Sequence, residues 1–174
     1  MGKAIGGCFI IATMVTLIGC DRPPNVPLPP PSIPSKLTIM AKQDLHGRFR
    51  PAPASCNIET LDNESINGQP VHLGRQDVML SGWVLPEVSR KPIHGVTLRF
   101  VDNSGNMGWE VNINSWLPRD DVLQAMKATK SGDVGFTDYL GTSVIGDGRY
   151  HISIVFTDGG TAYICDKGTV VISP

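Results

Sequence analysis

The sequence has 174 residues, with 15 lysines and arginines against 16 aspartates and glutamates, so its formal net charge is -1. This length suits one domain, and the charge balance excludes a strongly basic nucleic-acid-binding protein and an acidic disordered chain. The 19 glycines and 14 prolines, with only 6% aromatic residues, favour a turn-rich β protein over a helical bundle.

Residues 1–19 have the layout of a secretory signal peptide. Lys3 supplies a positive charge, and residues 4–18 are apolar or small apart from two threonines. The apolar segment is short for a membrane-spanning helix, which needs roughly twenty residues. We therefore expect a cleaved signal and not a permanent transmembrane anchor.

The signal segment ends in Leu17-Ile18-Gly19-Cys20, which resembles the lipobox of bacterial lipoproteins. The resemblance implies cleavage before Cys20, acylation of that cysteine with palmitate-type chains, and attachment to a lipid bilayer. Asp21 resembles the signal that retains lipoproteins in the inner membrane, but Arg22 follows it directly. The expected location is the periplasmic face of the inner or the outer membrane, and the choice between them stays open.

Residues 20–35 are predicted to form a proline-rich stalk behind the lipidated cysteine. Half of the chain's prolines fall within residues 23–34. Proline fixes φ and lacks an N–H donor, so such a segment adopts polyproline II at about 3.1 Å per residue. The stalk is either a spacer or a proline-rich ligand for a periplasmic partner.

Residues 36–174 are predicted to form one β-sandwich domain. Short apolar runs separated by turn residues predict strands at 37–40, 57–61, 77–85, 95–102, 109–113, 150–156, 161–165 and 169–172. A basic segment at 45–54 is irregular, and Gly82 is a candidate for a bulge or a close backbone approach. Seven to nine such strands predict an all-β, antiparallel immunoglobulin-like β-sandwich.

One short helix is expected within this domain, near residues 119–128. Pro118 and two acidic residues precede an apolar stretch, Lys127 and Lys130 stand near its end, and Gly132 follows. This helix should connect two strands of the sandwich.

Two cysteines remain after the signal segment and the lipidated position are set aside. Cys56 and Cys165 stand near the two ends of the predicted domain. In an oxidising periplasm, such a pair is most simply a disulfide. A redox pair or metal ligands are the alternatives, but the CxxC spacing and adjacent histidines that these sites use are missing.

A series of short motifs runs through residues 76–160, comprising Gly82-Trp83, Arg119-Asp120-Asp121-Val122, Gly135-Phe136 and Gly148-Arg149-Tyr150-His151-Ile152. In order and spacing the series resembles a β-sandwich domain appended to bacterial cell-surface glycan enzymes. The resemblance implies an accessory, glycan-related module, although we expect this chain to have its own lipid anchor and no attached catalytic domain.

The residues of this series also have a structural interpretation. Arg119 and Asp121 could tie the helix to a sheet through charge-assisted hydrogen bonds, and Phe136 and Tyr150 could pack in the core. Three tryptophans, Trp83, Trp109 and Trp116, are either core residues or a stacking platform for sugars.

The sequence carries no local signature of a hydrolase, a zinc protease or a nucleotide-binding protein. The histidines are scattered singly, and residues 102–106 with Glu110 have the composition of a calcium loop or of a plain hairpin turn. No metal and no cofactor are therefore expected.

By elimination, we expect a non-enzymatic binding or assembly lipoprotein with an envelope protein as its partner and no nucleic-acid ligand. A glycan-binding accessory module is the main alternative. There are two further hypotheses. One is an enzyme of unrecognised type, with Asp121 near His151, and the other is a protein that blocks phage or plasmid entry.

Overall fold

The computed structural model describes residues 34–66, 68–128 and 132–174. The predicted signal peptide, the lipobox with Cys20 and nearly all of the stalk lie outside this range. The described chain forms twelve strands, which are β1 (Thr38–Ile39), β2 (Arg50–Pro51), β3 (Cys56–Leu61), β4 (Glu64–Ser65), β5 (Val71–Leu73), β6 (Asp77–Val84), β7 (Thr97–Asp102), β8 (Gly108–Asn112), β9 (Trp116–Pro118), β10 (Asp133–Gly141), β11 (Gly148–Asp158) and β12 (Thr161–Ile172).

The strands form two sheets. The larger sheet has the order β1-β8-β7-β11-β12-β2, with β5 also paired to β12, and the smaller sheet has the order β4-β3-β6-β10-β9. All pairings between these strands are antiparallel except those of β2 and β5 with β12. The predicted all-β sandwich is confirmed.

Alternation of apolar and polar residues determines which face of each strand lies inside. In β6 the residues Val78, Leu80, Gly82 and Val84 are buried, while the residues between them are partly or fully exposed. The inward side chains of both sheets form one continuous core that contains, among others, Leu98, Phe100, Phe136, Ile152 and Ile154. Each sheet therefore has an inner face on this core and an outer face that other segments can cover.

The predicted helix between two strands is present but shorter than expected. It is α2 (Asp120–Ala125), and it connects β9 with β10. Lys127 has φ of 52°, in the left-handed region, which is incompatible with another helical turn. A further helix, α1 (Lys42–Leu45), and a 3₁₀ turn at Thr142–Val144 are also short. No described helix is long and apolar enough to cross a membrane.

The sequence pattern missed β10, although this strand lies between β6 and β9 in the smaller sheet. The segment Asp133–Gly141 contains two glycines, Gly135 and Gly141, and a buried aspartate, Asp138. Its sequence therefore lacks the usual alternation of apolar and polar residues. The close approach at Gly82 has a definite cause. A Cβ there would collide with the Asn57 backbone oxygen and lie 2.6 Å from Cζ of Phe136.

The disulfide predicted between Cys56 and Cys165 is confirmed, and it links the two sheets. Cys56 begins β3 in the smaller sheet, and Cys165 lies in β12 of the larger sheet. Their Cα atoms are 6.3 Å apart, within the usual range for a disulfide. Both residues are buried in the core, as in the inter-sheet bridge of immunoglobulin domains.

Replacing both cysteines with alanine should lower the free energy of unfolding by about 4 to 5 kcal/mol, because the bridge closes a loop of 109 residues in the unfolded chain. Urea titration of the purified protein measures the change. Dithiothreitol should destabilise the wild type by a similar amount and leave the double variant unaffected. Two free thiols in the oxidised wild-type protein would contradict the assignment.

Candidate functional site

Residues 40–49 form a strap across the outer face of the larger sheet. The preceding strand, β1, lies at one edge beside β8, and the following strand, β2, lies at the other edge beside β12. Four strands separate the two positions, so the strap spans roughly 24 Å at about 4.8 Å per strand step. The inner face is filled by the core, and the chain must therefore cross outside.

Gly108 provides space for the first part of the strap. A Cβ at this position would lie 2.7 Å from Cδ2 of Leu45 and 2.9 Å from Sδ of Met40. A side chain at position 108 would force the Leu45 and Met40 side chains to shift. The strap can thus pack directly against the backbone there.

Arg99 on β7 holds the strap from below. Its Nη2 atom donates to the Asp44 carbonyl oxygen at 2.6 Å, and its Nε atom donates to Sδ of Met40 at 3.4 Å. The guanidinium carbon lies 5.1 Å from the centroid of the Phe49 ring, a cation–π contact. The residue is only 3% exposed.

Burial lowers the pKa of the Arg99 guanidinium, because the charged form loses water, while the charges of Glu110 and Asp44 oppose this shift. Within the described part of the chain, none of the ion pairs involves Arg99. The charge is therefore held mainly by a carbonyl oxygen, a sulfur atom and an aromatic ring.

The strand register aligns polar residues on this outer face. Glu110, Arg99, Ser153 and Asp166 lie opposite one another on four adjacent strands, β8, β7, β11 and β12. Arg99 and Ser153 are buried beneath the strap, whereas Asp166 is exposed. The result is a row of polar side chains covered in the middle and open at its β12 end.

Two cavities flank Arg99 beneath the strap. The larger, which we call the strap cavity, has a volume of about 350 Å³. Its lining comprises Leu45, Gly47, Phe49, Arg99, Val101, His151, Ser153, Ile164 and Asp166. The smaller cavity has a volume of about 210 Å³ and includes Thr97, Glu110 and Val155. Ligand pockets in proteins commonly have the size of the larger one.

Arg119 and Asp121, both predicted as candidate binding residues, lie on the opposite side of the molecule. Arg119 donates from Nη1 and Nη2 to Glu59 at 2.6 and 2.9 Å, and from Nε and Nη2 to Asp121 at 2.8 and 2.7 Å. Glu59 lies on β3, so this fork of ion pairs ties the start of α2 to the outer face of the smaller sheet. Sequence reasoning missed Glu59, because only the fold brings it to Arg119.

The charges in this cluster reinforce one another. Hydrogen bonds to Asp121 and Glu59 raise the pKa of Arg119 above its usual value. The hydrogen bond from Arg119 lowers the pKa of Asp121 to about 2. Every acidic oxygen of the fork is engaged by the guanidinium, an arrangement that favours a structural role.

The motif residues of the smaller sheet form one packing unit. Trp83 on β6 lies opposite Gly135 on β10, and a Cβ at Gly135 would lie 2.5 Å from Cγ of Arg119. The Arg119 side chain therefore crosses β10 where no side chain obstructs it. Trp83 also packs against a small cluster that includes Val122 of α2.

The three tryptophans do not share a surface. Trp109 is 4% exposed and packs edge-on against Tyr150 at 5.5 Å between ring centroids, so it belongs to the core and cannot stack on a sugar. Trp83 is half-buried on the outer face of the smaller sheet, beside α2. Trp116 is half-buried against the main core, near Phe136. The three rings therefore do not form a common stacking platform, which was the alternative to core packing for these tryptophans.

Trp116 nevertheless borders an open hollow. Its ring lies edge-on to His94 at 5.3 Å between centroids. The hollow has a volume of about 470 Å³ and is lined by His94, Gly95, Asn112, Ile113, Asn114 and Trp116. We call this the Trp116 hollow.

Asp121 and His151, considered as an enzyme pair, are not together. Asp121 accompanies Arg119 on the outer face of the smaller sheet, whereas His151 lines the strap cavity on the outer face of the larger one. Among the residues that the structure describes, no group of histidine, cysteine, aspartate and glutamate side chains could hold a metal ion.

The candidate calcium loop forms a hairpin turn. The Asp102 carboxylate accepts hydrogen bonds from the Ser104 hydroxyl at 2.7 Å and from the backbone N–H groups of Asn106 and Met107. The Ser104 bond and these backbone bonds lower the pKa of Asp102. The carboxylate thus serves the turn itself.

In comparisons with known proteins, no family model, curated protein or solved structure matches the chain.

The Arg119–Asp121 contact should make stability depend on pH at the acid end. The pKa of Asp121 falls from 3.8 to about 2 on folding, so its stabilising contribution is present above pH 3.8 and is lost as the pH falls towards 2. Asp121→Asn should make the urea-unfolding midpoint less dependent on pH across this interval. Asp120→Asn removes the same charge one residue earlier and should keep the wild-type change of the midpoint with pH. An equal change with pH in Asp121→Asn and in the wild type would contradict the assignment.

Proposed function

We propose that this chain is a lipid-anchored protein of the bacterial envelope whose β-sandwich acts as a non-enzymatic binding or assembly module. The observation that carries the binding role is the outer face of the larger sheet, where a strap covers a cavity of about 350 Å³ containing both charged and apolar groups. The lipobox at Cys20 supports the anchoring role.

The start of the sandwich is suited to attachment through a stalk. Ser35 forms a parallel bridge with Leu140, and its backbone N–H donates to the Tyr139 carbonyl oxygen at 2.7 Å. Its hydroxyl donates to the buried carboxylate of Asp138 at 2.9 Å. The chain is therefore fixed to β10 of the smaller sheet from Ser35 onward.

Asp138 also accepts a hydrogen bond from the backbone N–H of Asn114, at 3.4 Å. One buried side chain thus joins the first residues of the domain to the connection between β8 and β9. Sequence analysis missed Asp138, because an aspartate within an irregular run gives no signal of burial. Its neutral partners support a structural role at the base of the domain.

Palmitate labelling tests the anchor. Cells that express the wild type should incorporate an alkyne-palmitate analogue into this protein, and Cys20→Ser should abolish incorporation because the acylated thiol is gone. Cys8→Ser changes a cysteine inside the apolar segment and should keep the label. Label retained in Cys20→Ser, or missing from the wild type, would refute lipidation at this residue.

A glycan-binding module is the second candidate, and the Trp116 hollow favours it. A partly exposed tryptophan can stack on a sugar ring, and the asparagines beside it can bond to hydroxyl groups. Only one tryptophan takes part, so the expected site is a single sugar position.

Photo-crosslinking in intact cells distinguishes the two candidates. With a photoreactive residue at His151 or Arg149, we expect one discrete envelope-protein adduct, and we expect none with the residue at Tyr139 on the opposite sheet. The binding-module proposal fails if no protein adduct forms at any position. If the chain instead binds a peptidoglycan column, and Trp116→Ala abolishes this while Trp83→Phe does not, the glycan module is supported.

A further inference from the structure

We propose that the strap cavity binds a small monocarboxylate with a short apolar body, held by Arg99. This proposal adds a ligand to the binding module and rests on that proposed function. It begins from the donors of the buried guanidinium.

An arginine offers five N–H donors. Within the described residues, Arg99 uses one on the Asp44 carbonyl and one on Met40 Sδ, and Nη1 donates to none of them. In the described chain, the side-chain nitrogen and oxygen atoms that lack both solvent contact and a hydrogen-bond partner are Ser89 Oγ and Trp109 Nε1. Arg99 Nη1 is not one of them, so this unpartnered donor keeps some contact with solvent. A residue 97% buried thus keeps donors available at a cavity that it lines.

The charges around Arg99 select the strap cavity over its smaller neighbour. Glu110 and Asp44, the acids whose charges act on Arg99, both line the smaller cavity. The strap-cavity lining contains one acid, the exposed Asp166, and on that side Arg99 lies beside the hydroxyl of Ser153 and near His151. An anion would therefore meet less repulsion and an additional hydrogen-bond donor in the strap cavity.

The remaining lining determines the class of anion. Leu45, Phe49, Val101 and Ile164 provide apolar walls, which suit a short hydrocarbon or aromatic body. Asp166, the exposed acid of the lining, repels a dianion more strongly than a monoanion, so a phosphate dianion fits less well than a carboxylate. The planar guanidinium matches the geometry of a carboxylate.

Equilibrium dialysis of the purified full-length protein in detergent tests the proposal, with radiolabelled benzoate as the probe. Benzoate should bind saturably at one site per chain, and benzamide, which has the same shape without the charge, should bind at least about tenfold more weakly. Excess inorganic phosphate should not displace benzoate. Equal binding of benzoate and benzamide, or displacement by phosphate, would overturn the proposed ligand class.

Two matched variants locate the site. Val101→Phe fills the strap cavity, and Thr97→Phe fills the smaller cavity from the same strand and the same face. Val101→Phe should weaken benzoate binding by about tenfold or more, whereas Thr97→Phe should leave it within about twofold. The reverse result, or no effect of Val101→Phe, would overturn the proposed site.

Arg99→Lys tests the guanidinium and should weaken binding by about tenfold while keeping the charge beneath the strap. If this variant does not fold, the comparison of Val101→Phe with Thr97→Phe still tests whether benzoate binds in the strap cavity. Palmitate labelling and photo-crosslinking are read independently, so a failure to bind benzoate is distinguishable from a failure of the proposed function.

Discussion

The architecture depends on one topological constraint, which is that β1 and β2 are consecutive in the chain but lie at opposite edges of the larger sheet. The connection between them must cross a face of that sheet, and the hydrophobic core already occupies the inner face. The strap, the burial of Arg99 and the cavities beside it all follow from this crossing. Position 99 on β7, which would otherwise face solvent, is thereby covered by the strap, and the charge of Arg99 is separated from bulk water.

The smaller sheet shows a different solution for covering an outer face. There α2 lies beside Trp83, and the Arg119 side chain reaches across Gly135 to Glu59. Glycine is required on β10 because any side chain would occupy the path of the arginine. The short motifs around Trp83, Arg119 and Gly135 thus correspond here to a packing unit.

The sequence predicted those features that depend on local pattern or on composition. The alternation in 77–85 and 95–102 was sufficient for β6 and β7, and the two remaining cysteines were sufficient for the bridge. Features that depend on contacts between distant segments were not predictable. Arg99 alternates with Leu98 and Phe100, a pattern typical of a solvent-facing residue, and only the strap overrides it. Glu59 and Asp138 likewise acquire their roles from partners far away in the chain.

The strap uses only part of the hydrogen-bonding capacity of Arg99. Burying a cation has a desolvation cost, which hydrogen bonds from the charged group must offset. The Asp44 carbonyl is the only strap oxygen that Arg99 hydrogen-bonds among the described residues, and a hydrogen bond from a charged donor contributes about 1.5 to 3 kcal/mol. Packing of Met40, Leu45 and Phe49 on the sheet can hold the strap through apolar contacts. The donors that Arg99 keeps free at the strap cavity are not used by the strap, and the proposed carboxylate would use them.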